Sequence, residues 1–197
     1  MRPPDPRTVR SREAALVTAR QLLVEQGLAG LTHGAIAARS GISRATLYRL
    51  WPEPTDLVRA TITWHIALAQ APPTGNLRAD LLTALAGTHA MLHEPASEQA
   101  IRVLIERAAV DPQFAAVKES AYRSGTRVVR TILTAAVERG ELPADLDVDL
   151  AVDQLHGPLF FRRLVAHRTF DLDYVRAVAD DFLRHRPTNP PSRQGPS

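Results

Sequence analysis

The chain has 197 residues, 24 Lys and Arg against 21 Asp and Glu, a net charge of +3, and no cysteine. That length can bury a sizeable core in one large or two small domains, and the missing cysteine excludes disulfides and thiolate-held metal. No apolar run approaches the roughly 18 residues of a membrane span and no signal-peptide pattern opens the chain, so a soluble cytoplasmic protein is expected. Ala, Leu, Val and Arg dominate, and β-branched residues do not alternate with polar ones over any useful length. An all-α protein follows. Residues 1–70 hold nine arginines against five acids, while the remainder is near neutral. A basic N-terminal part on a neutral remainder suits a nucleic-acid reader joined to another module.

Residues 1–8 read as a loose arm, with Arg2, Arg7, Arg10 and Arg12 in or beside it. Such an arm can reach phosphates or a minor groove. A first helix is expected over about 9–26, where Ala15, Leu16, Ala19, Leu22 and Leu23 recur at helical spacing. Gly27 ends it.

Residues 32–51 then give two short helices and a tight turn. Thr32 can cap the first, Ile36 and Ala37 face inward, and Gly41 stands where the chain must reverse. Ile42 plugs the turn, Ser43 caps the second helix, and Leu47 and Leu50 form its inward side. This is the spacing of a helix-turn-helix, whose second helix enters a DNA major groove. Its outward face carries Arg44, Ala45, Thr46, Tyr48 and Arg49. Arginine can fork onto guanine, threonine can meet a base edge or thymine methyl, and tyrosine can donate to a phosphate.

A fourth helix is expected from Pro54 to about residue 70, with Leu57, Thr61, Trp64, His65 and Leu68 inward. The Pro-Pro-Thr-Gly run at 72–75 breaks it. Five more helices follow. They cover about 77–93, closed by Pro95; 97–110, with Ile101, Leu104, Ile105 and Ala108 inward; and 112–139, ended by Gly140. The last two start at Asp147 or Asp149, running to about 167, and at Asp171 or Asp173. The proline-rich residues 187–197 read as a disordered tail. The expected organisation is a DNA-binding domain over 1–54, a helical effector-binding and dimerisation domain over 55–186, and the tail.

The first sixty residues resemble the TetR family of bacterial transcriptional repressors. The likeness rests on Ala15, Leu23, Gly27, Leu31-Thr32, Ile36-Ala37, Ser40-Gly41-Ile42-Ser43, Thr46-Leu47-Tyr48, Trp51 and Leu57. The stretch at 157–168 also looks like the penultimate helix of many relatives. The resemblance implies a homodimer on a palindromic operator of double-stranded DNA. It implies Thr32 and Tyr48 at phosphates, Arg44, Ala45 and Thr46 at bases, and a small-molecule pocket in the C-terminal domain. Ligand binding would swing the helix that starts at Pro54. Two departures stand out: Leu50 where many relatives have His, and Pro54 where many have Lys. Both relatives' residues help hold phosphate, a task left here to Arg49 or the N-terminal arginines.

The stripe Val148, Ala151, Val152, Leu155 and Leu159, with Val175, Val178 and Phe182 of the last helix, exceeds what one thin layer hides. Leu155, Leu159, Val175, Val178 and Phe182 are therefore expected in a four-helix bundle with a second copy. The reading helices would then stand about 34 Å apart, one turn of B-DNA. Candidate contacts to a small apolar effector are His89, Tyr122, Thr126 and Gln154, with His93, Arg102, Glu106 and Arg123 as further polar groups. His89 and His93 share a helical face but lack a third metal ligand, so no metal and no cofactor are expected. Arg102 and Glu106 read as a surface pair. Phosphate loops, nucleophile elbows and zinc motifs are missing, so catalysis is not expected. The alternative to a DNA reader is a helical protein–protein interaction module.

Overall fold

The computed structural model describes residues 6–68 and 72–186. The expected arm at 1–5, the helix end at Gln70, the side chain of Leu68 and the tail at 187–197 lie outside them. The described residues form nine α-helices and no strand. They group into two compact units: residues 6–68 with 94–125, and residues 72–93 with 126–186.

In the first unit, α1 (Pro6–Gln26) starts earlier than expected, at a proline, whose missing N–H costs nothing in a first turn. A 3-10 turn (Leu28–Gly30) leads to α2 (His33–Ser40), α3 (Arg44–Leu50) and α4 (Pro54–Leu68). The predicted inner residues of α1 are buried with Leu31, Ile36, Leu47 and Trp51. The same core takes in Leu57, Val58 and Ile62 of α4, Ala100 and Leu104 of α6 (Pro95–Ala108), and Phe114 and Val117 of α7 (Pro112–Glu138). The boundary expected at residue 54 therefore falls inside this unit, because α4 and α6 spend their apolar stripes on one core with α1. Pro95 opens α6 rather than closing the helix before it, again as a first-turn proline. Ile105, expected inward, is 49% exposed. The buried side of α6 is Ser97, Ala100 and Leu104, about 100° round the helix from it. His65 of α4 receives the Arg20 Nε–H of α1 at 2.9 Å and donates to the Ser97 hydroxyl at 2.9 Å. Ser97 in turn donates to Glu94 at 2.5 Å.

The second unit comprises α5 (Leu77–His93), α7 from Thr126 onward, α8 (Val148–Phe160) and α9 (Leu172–Arg184). Asp147 and Asp171, rather than Asp149 and Asp173, cap α8 and α9, each accepting a backbone N–H at 3.0 Å. Before α5, the Asp80 carboxylate collects the Thr74 and Gly75 N–H groups and the Thr74 hydroxyl at 2.8–3.0 Å. Pro158 lies inside α8. Beyond Phe160 the chain does not continue as α-helix to residue 167. It widens into a π-turn (Phe161–Val165), closed by Ala166 N–H to the Phe161 carbonyl at 2.9 Å.

Four of the five residues expected at a partner interface are packed inside their own unit. Leu155, Leu159, Val175 and Phe182 are at most 5% exposed, so they belong chiefly to the core of their own unit, with Phe182 also edging an open surface groove. Val178 alone of the five is half-buried. The apolar residues left outward are Leu150, Phe161, Val165 and Leu172, 45–63% exposed.

Candidate nucleic-acid interface

The reading helix α3 has seven residues, too few to be stable alone. Its frame is built by its neighbours. Thr32 accepts the Ala35 N–H at 3.1 Å and so caps α2. Gly41 closes α2 at φ 72°, with its N–H on the Ala37 carbonyl at 3.1 Å. That left-handed conformation suits glycine. Ser43 accepts the Thr46 N–H at 3.2 Å and stands 3.0 Å from the Thr46 hydroxyl. Each cap contributes about 1 kcal/mol. Leu47, fully buried, fastens the inner face of α3 to the core.

With Leu47 inward, Arg44, Ala45, Tyr48 and Arg49 are exposed and Thr46 is half-buried. Ser43 and Thr32 are exposed beside them, both engaged as caps. All seven sequence-predicted DNA contacts therefore share one surface of the first unit, around α3 and the start of α2. They offer two guanidinium groups, a phenol, two capping hydroxyls, a threonine and a small apolar side chain. That set matches base-edge and phosphate chemistry and contains no nucleophile–base pair.

Two supporting residues, His33 and Arg39, were not foreseen from the sequence, and a third, Arg12, sits differently from expectation. His33 is 3% exposed, and its ring stacks on Tyr48 at 4.2 Å and 15°. Its Nε2–H donates to the Trp51 carbonyl at 2.8 Å. The signal was available: His33 lies three residues before Ile36, on the buried face of α2. Arg12, expected to reach for phosphate, instead has its guanidinium over the Trp51 ring at 5.7 Å. Arg39 pairs with Glu25 at 2.7 Å, joining α2 to α1, and nothing in either helix's periodicity pointed to it.

The four effector-contact candidates stand in these local settings. His89 donates through Nε2 to the Phe170 carbonyl at 3.0 Å and stacks on His93, ring centres 4.1 Å apart. Nδ1 of His93 bonds the His89 carbonyl at 2.8 Å, while its Nε2 is buried without a hydrogen-bond partner. Thr126 is buried and Tyr122 is 43% exposed. Gln154 accepts from Arg186 and lines an open groove of about 730 Å³ with Pro158, Tyr174, Val178 and Phe182. Arg102 pairs with Glu98 at 2.7 Å rather than with Glu106, one helical turn back instead of forward.

Known proteins place this arrangement. Residues 15–61 match the bacterial regulatory proteins of the tetR family, and residues 71–182 match the tetracyclin repressor-like C-terminal domain. An uncharacterized HTH-type transcriptional regulator of Mycobacterium tuberculosis, Rv1556, is 34% identical over 192 residues, covering 91% of this chain and 89% of that protein. The DNA-binding transcriptional repressor TetR of Mycobacteroides abscessus is 28% identical over 180 residues, covering 88% and 92%. Among solved structures, the TetR family transcription regulator SCO0332 superposes with a TM-score of 0.76 at 28% identity, covering 88% of this chain and 96% of that one. With both parts of the chain matched and the reading helix exposed as such a protein requires, this chain belongs to the TetR family of helix-turn-helix, DNA-binding transcriptional regulators.

Proposed function

We propose that the protein is a homodimeric, effector-responsive repressor that reads a palindromic operator. Arg44, Ala45 and Thr46 meet base edges; Thr32, Ser43, Tyr48 and Arg49 hold the backbone. One observation carries this reading: a capped, core-fastened α3 turns Arg44, Ala45, Tyr48 and Arg49 outward together. Repression is supported by the relative named as a repressor, similar along most of both chains.

The homodimer is supported by the outer side of α8 and its π-turn. Leu150, Gln154, Gly157, Phe161 and Val165 are exposed there at spacings of three and four residues. Leu150, Phe161 and Val165 remain 52%, 62% and 63% exposed. Contiguous apolar surface of this kind marks an interface. The 730 Å³ groove between α8 and α9 continues that face, so a second copy fills it better than an effector does. A small apolar effector then belongs to the interior of the helical second part, where apolar side chains predominate among the buried residues. The protein acts in the cytoplasm by binding rather than turnover; no described helix is long and apolar enough to cross a membrane.

Titration against the DNA flanking its own gene tests this, at two salt concentrations and beside an unrelated duplex. The expected result is tight binding at one dimer per site, preferring the flanking DNA, with a steep loss on adding salt. Equal weak binding to both duplexes refutes local operator recognition, and no binding at low salt favours a protein–protein module. A stable monomer that binds the operator with full affinity refutes the dimer.

A further inference from the structure

We propose that His33 and Gly34, the first two residues of α2, are positioning residues for two of the three long DNA-facing side chains of α3: His33 for Tyr48 and Gly34 for Arg44. The inference rests on the DNA-reading role of α3 and adds what aims its side chains.

Gly34 has no conformational reason to be glycine. The positive-φ glycines among the described residues are Gly27, Gly41, Gly75 and Gly140. Gly34 sits instead in an eight-residue helix, where glycine is among the poorest formers. What it provides is space. A Cβ built there would lie 3.3 Å from Arg44 Nη2, 3.7 Å from Arg44 Cζ and 3.9 Å from the Thr32 hydroxyl. The guanidinium therefore packs close to Gly34, and a Cβ at 34 makes it give by a few tenths of an ångström. The obstacle meets the free end of an exposed, flexible side chain, so the fold tolerates the change and only the aim of Arg44 shifts.

His33 acts on Tyr48 from below. Its ring is fixed by the bond from Nε2–H to the Trp51 carbonyl at 2.8 Å; a carbonyl only accepts, so this nitrogen carries the proton. On that fixed plane the phenol ring stacks at 4.2 Å. Tyr48 is 52% exposed, so its free face looks outward while its inner face is held. An aliphatic residue would fill the same buried volume; the imidazole adds a hydrogen bond to the end of α3 and a flat surface for the phenol. Both positions thus convert the first turn of α2 into a bed for α3 side chains.

The test uses the full-length protein with Gly34→Ala, Arg44→Ala, His33→Ala, His33→Phe and Tyr48→Ala, plus the Gly34/Arg44 and His33/Tyr48 double variants. Readouts are the sequences enriched from a randomised duplex pool, the affinity for the enriched duplex and for an unrelated one, and the thermal midpoint. Gly34→Ala is expected to keep or raise the midpoint. It should relax the same base pairs as Arg44→Ala, weaken binding to the enriched duplex about tenfold, and add nothing once Arg44 is alanine. His33→Ala should weaken all duplexes alike and add nothing to Tyr48→Ala. His33→Phe, which keeps a ring under the phenol, should restore most of the affinity. Additive double variants overturn the proposal, as does a Gly34→Ala protein with unchanged preferences where Arg44→Ala changes them. An Arg44→Ala protein with unchanged preferences overturns base reading by Arg44 itself. The cycle on total affinity then still decides whether Gly34 acts through Arg44.

Discussion

Unfolding between about pH 7.5 and 5 measures the consequence of burying His156. The residue is 8% exposed on α8 and donates through Nδ1–H to the Val152 carbonyl at 3.2 Å. Burial holds its pKa below the ordinary histidine value of 6.5; the Val152 carbonyl and the Asp153 carboxylate pull the other way without cancelling it. The sign follows from proton counting. Below pH 6.5 the unfolded chain binds a proton that the folded chain refuses, so stability is full above 6.5 and falls as pH drops. One such proton is worth about 1.4 kcal/mol per pH unit. The loss grows as pH falls below 6.5 and stops only where the folded imidazole also takes up its proton. His65 shifts the same way, through burial and the Arg20 guanidinium, against the Glu94 carboxylate. Urea titrations across this range, on wild type and His156→Gln, isolate the His156 part. The amide can still donate toward Val152 but does not titrate. The variant should lose the His156 share of the slope below 6.5 and so depend less steeply on pH. An unchanged slope in the variant, or stability that rises on acidification from pH 6.5, refutes the reasoning.

Further outcomes follow from the same structure. Burial pushes the Asp80 carboxyl up, but the Thr74 and Gly75 donors, with Arg139, outweigh it and hold it below 3.8. Its contribution is therefore present above pH 3.8 and lost as pH falls through the folded value; Asp80→Asn should cost about 1–3 kcal/mol in urea melts at neutral pH. Leu47→Ala removes a fully buried side chain from the first unit's core and should cost about 2–5 kcal/mol by circular dichroism, with DNA binding lost as that unit unfolds. Tyr48→Phe keeps the ring stack on His33, so the melting temperature should hold while binding weakens by about 1 kcal/mol on all duplexes alike. Phe161→Glu places a charge on a residue 62% exposed, and sedimentation should show a monomer with an unchanged helical spectrum.

What was legible in the sequence is what local chemistry enforces. Thr32, Gly41 and Ser43 announced the two short helices because caps and positive-φ turns each demand a narrow set of residues. Leu47 and Tyr48 were assigned opposite faces by the helical period alone. Long-range packing was less legible. Leu155, Leu159, Val175 and Phe182 read as surplus apolar surface, yet they fill the second unit's own core, because a stripe's period does not say which neighbour covers it. Pro158 signalled a disturbance in α8, but not that the ladder widens into a π-turn beyond Phe160. Arg12 shows the same limit: a cation near the N-terminus suggested phosphate, and its guanidinium lies over the ring of Trp51, the residue that caps the end of α3.

These limits meet in α3. A seven-residue helix has no stability of its own, so its rigidity is borrowed. Ser43 holds its start, Leu47 its inner face, and His33, through the Trp51 carbonyl, its end. Two of these three supports come from residues that also orient a DNA-facing group: Ser43 stands 3.0 Å from the Thr46 hydroxyl, and His33 backs Tyr48. Reading accuracy and local stability are thus the same set of contacts in this unit. Substitutions around α3 should therefore change specificity before they unfold the protein when they touch only a side chain's rest, as at Gly34. They should abolish both together when they touch the core, as at Leu47. That ordering separates the positions that aim the reading helix from those that merely keep it folded.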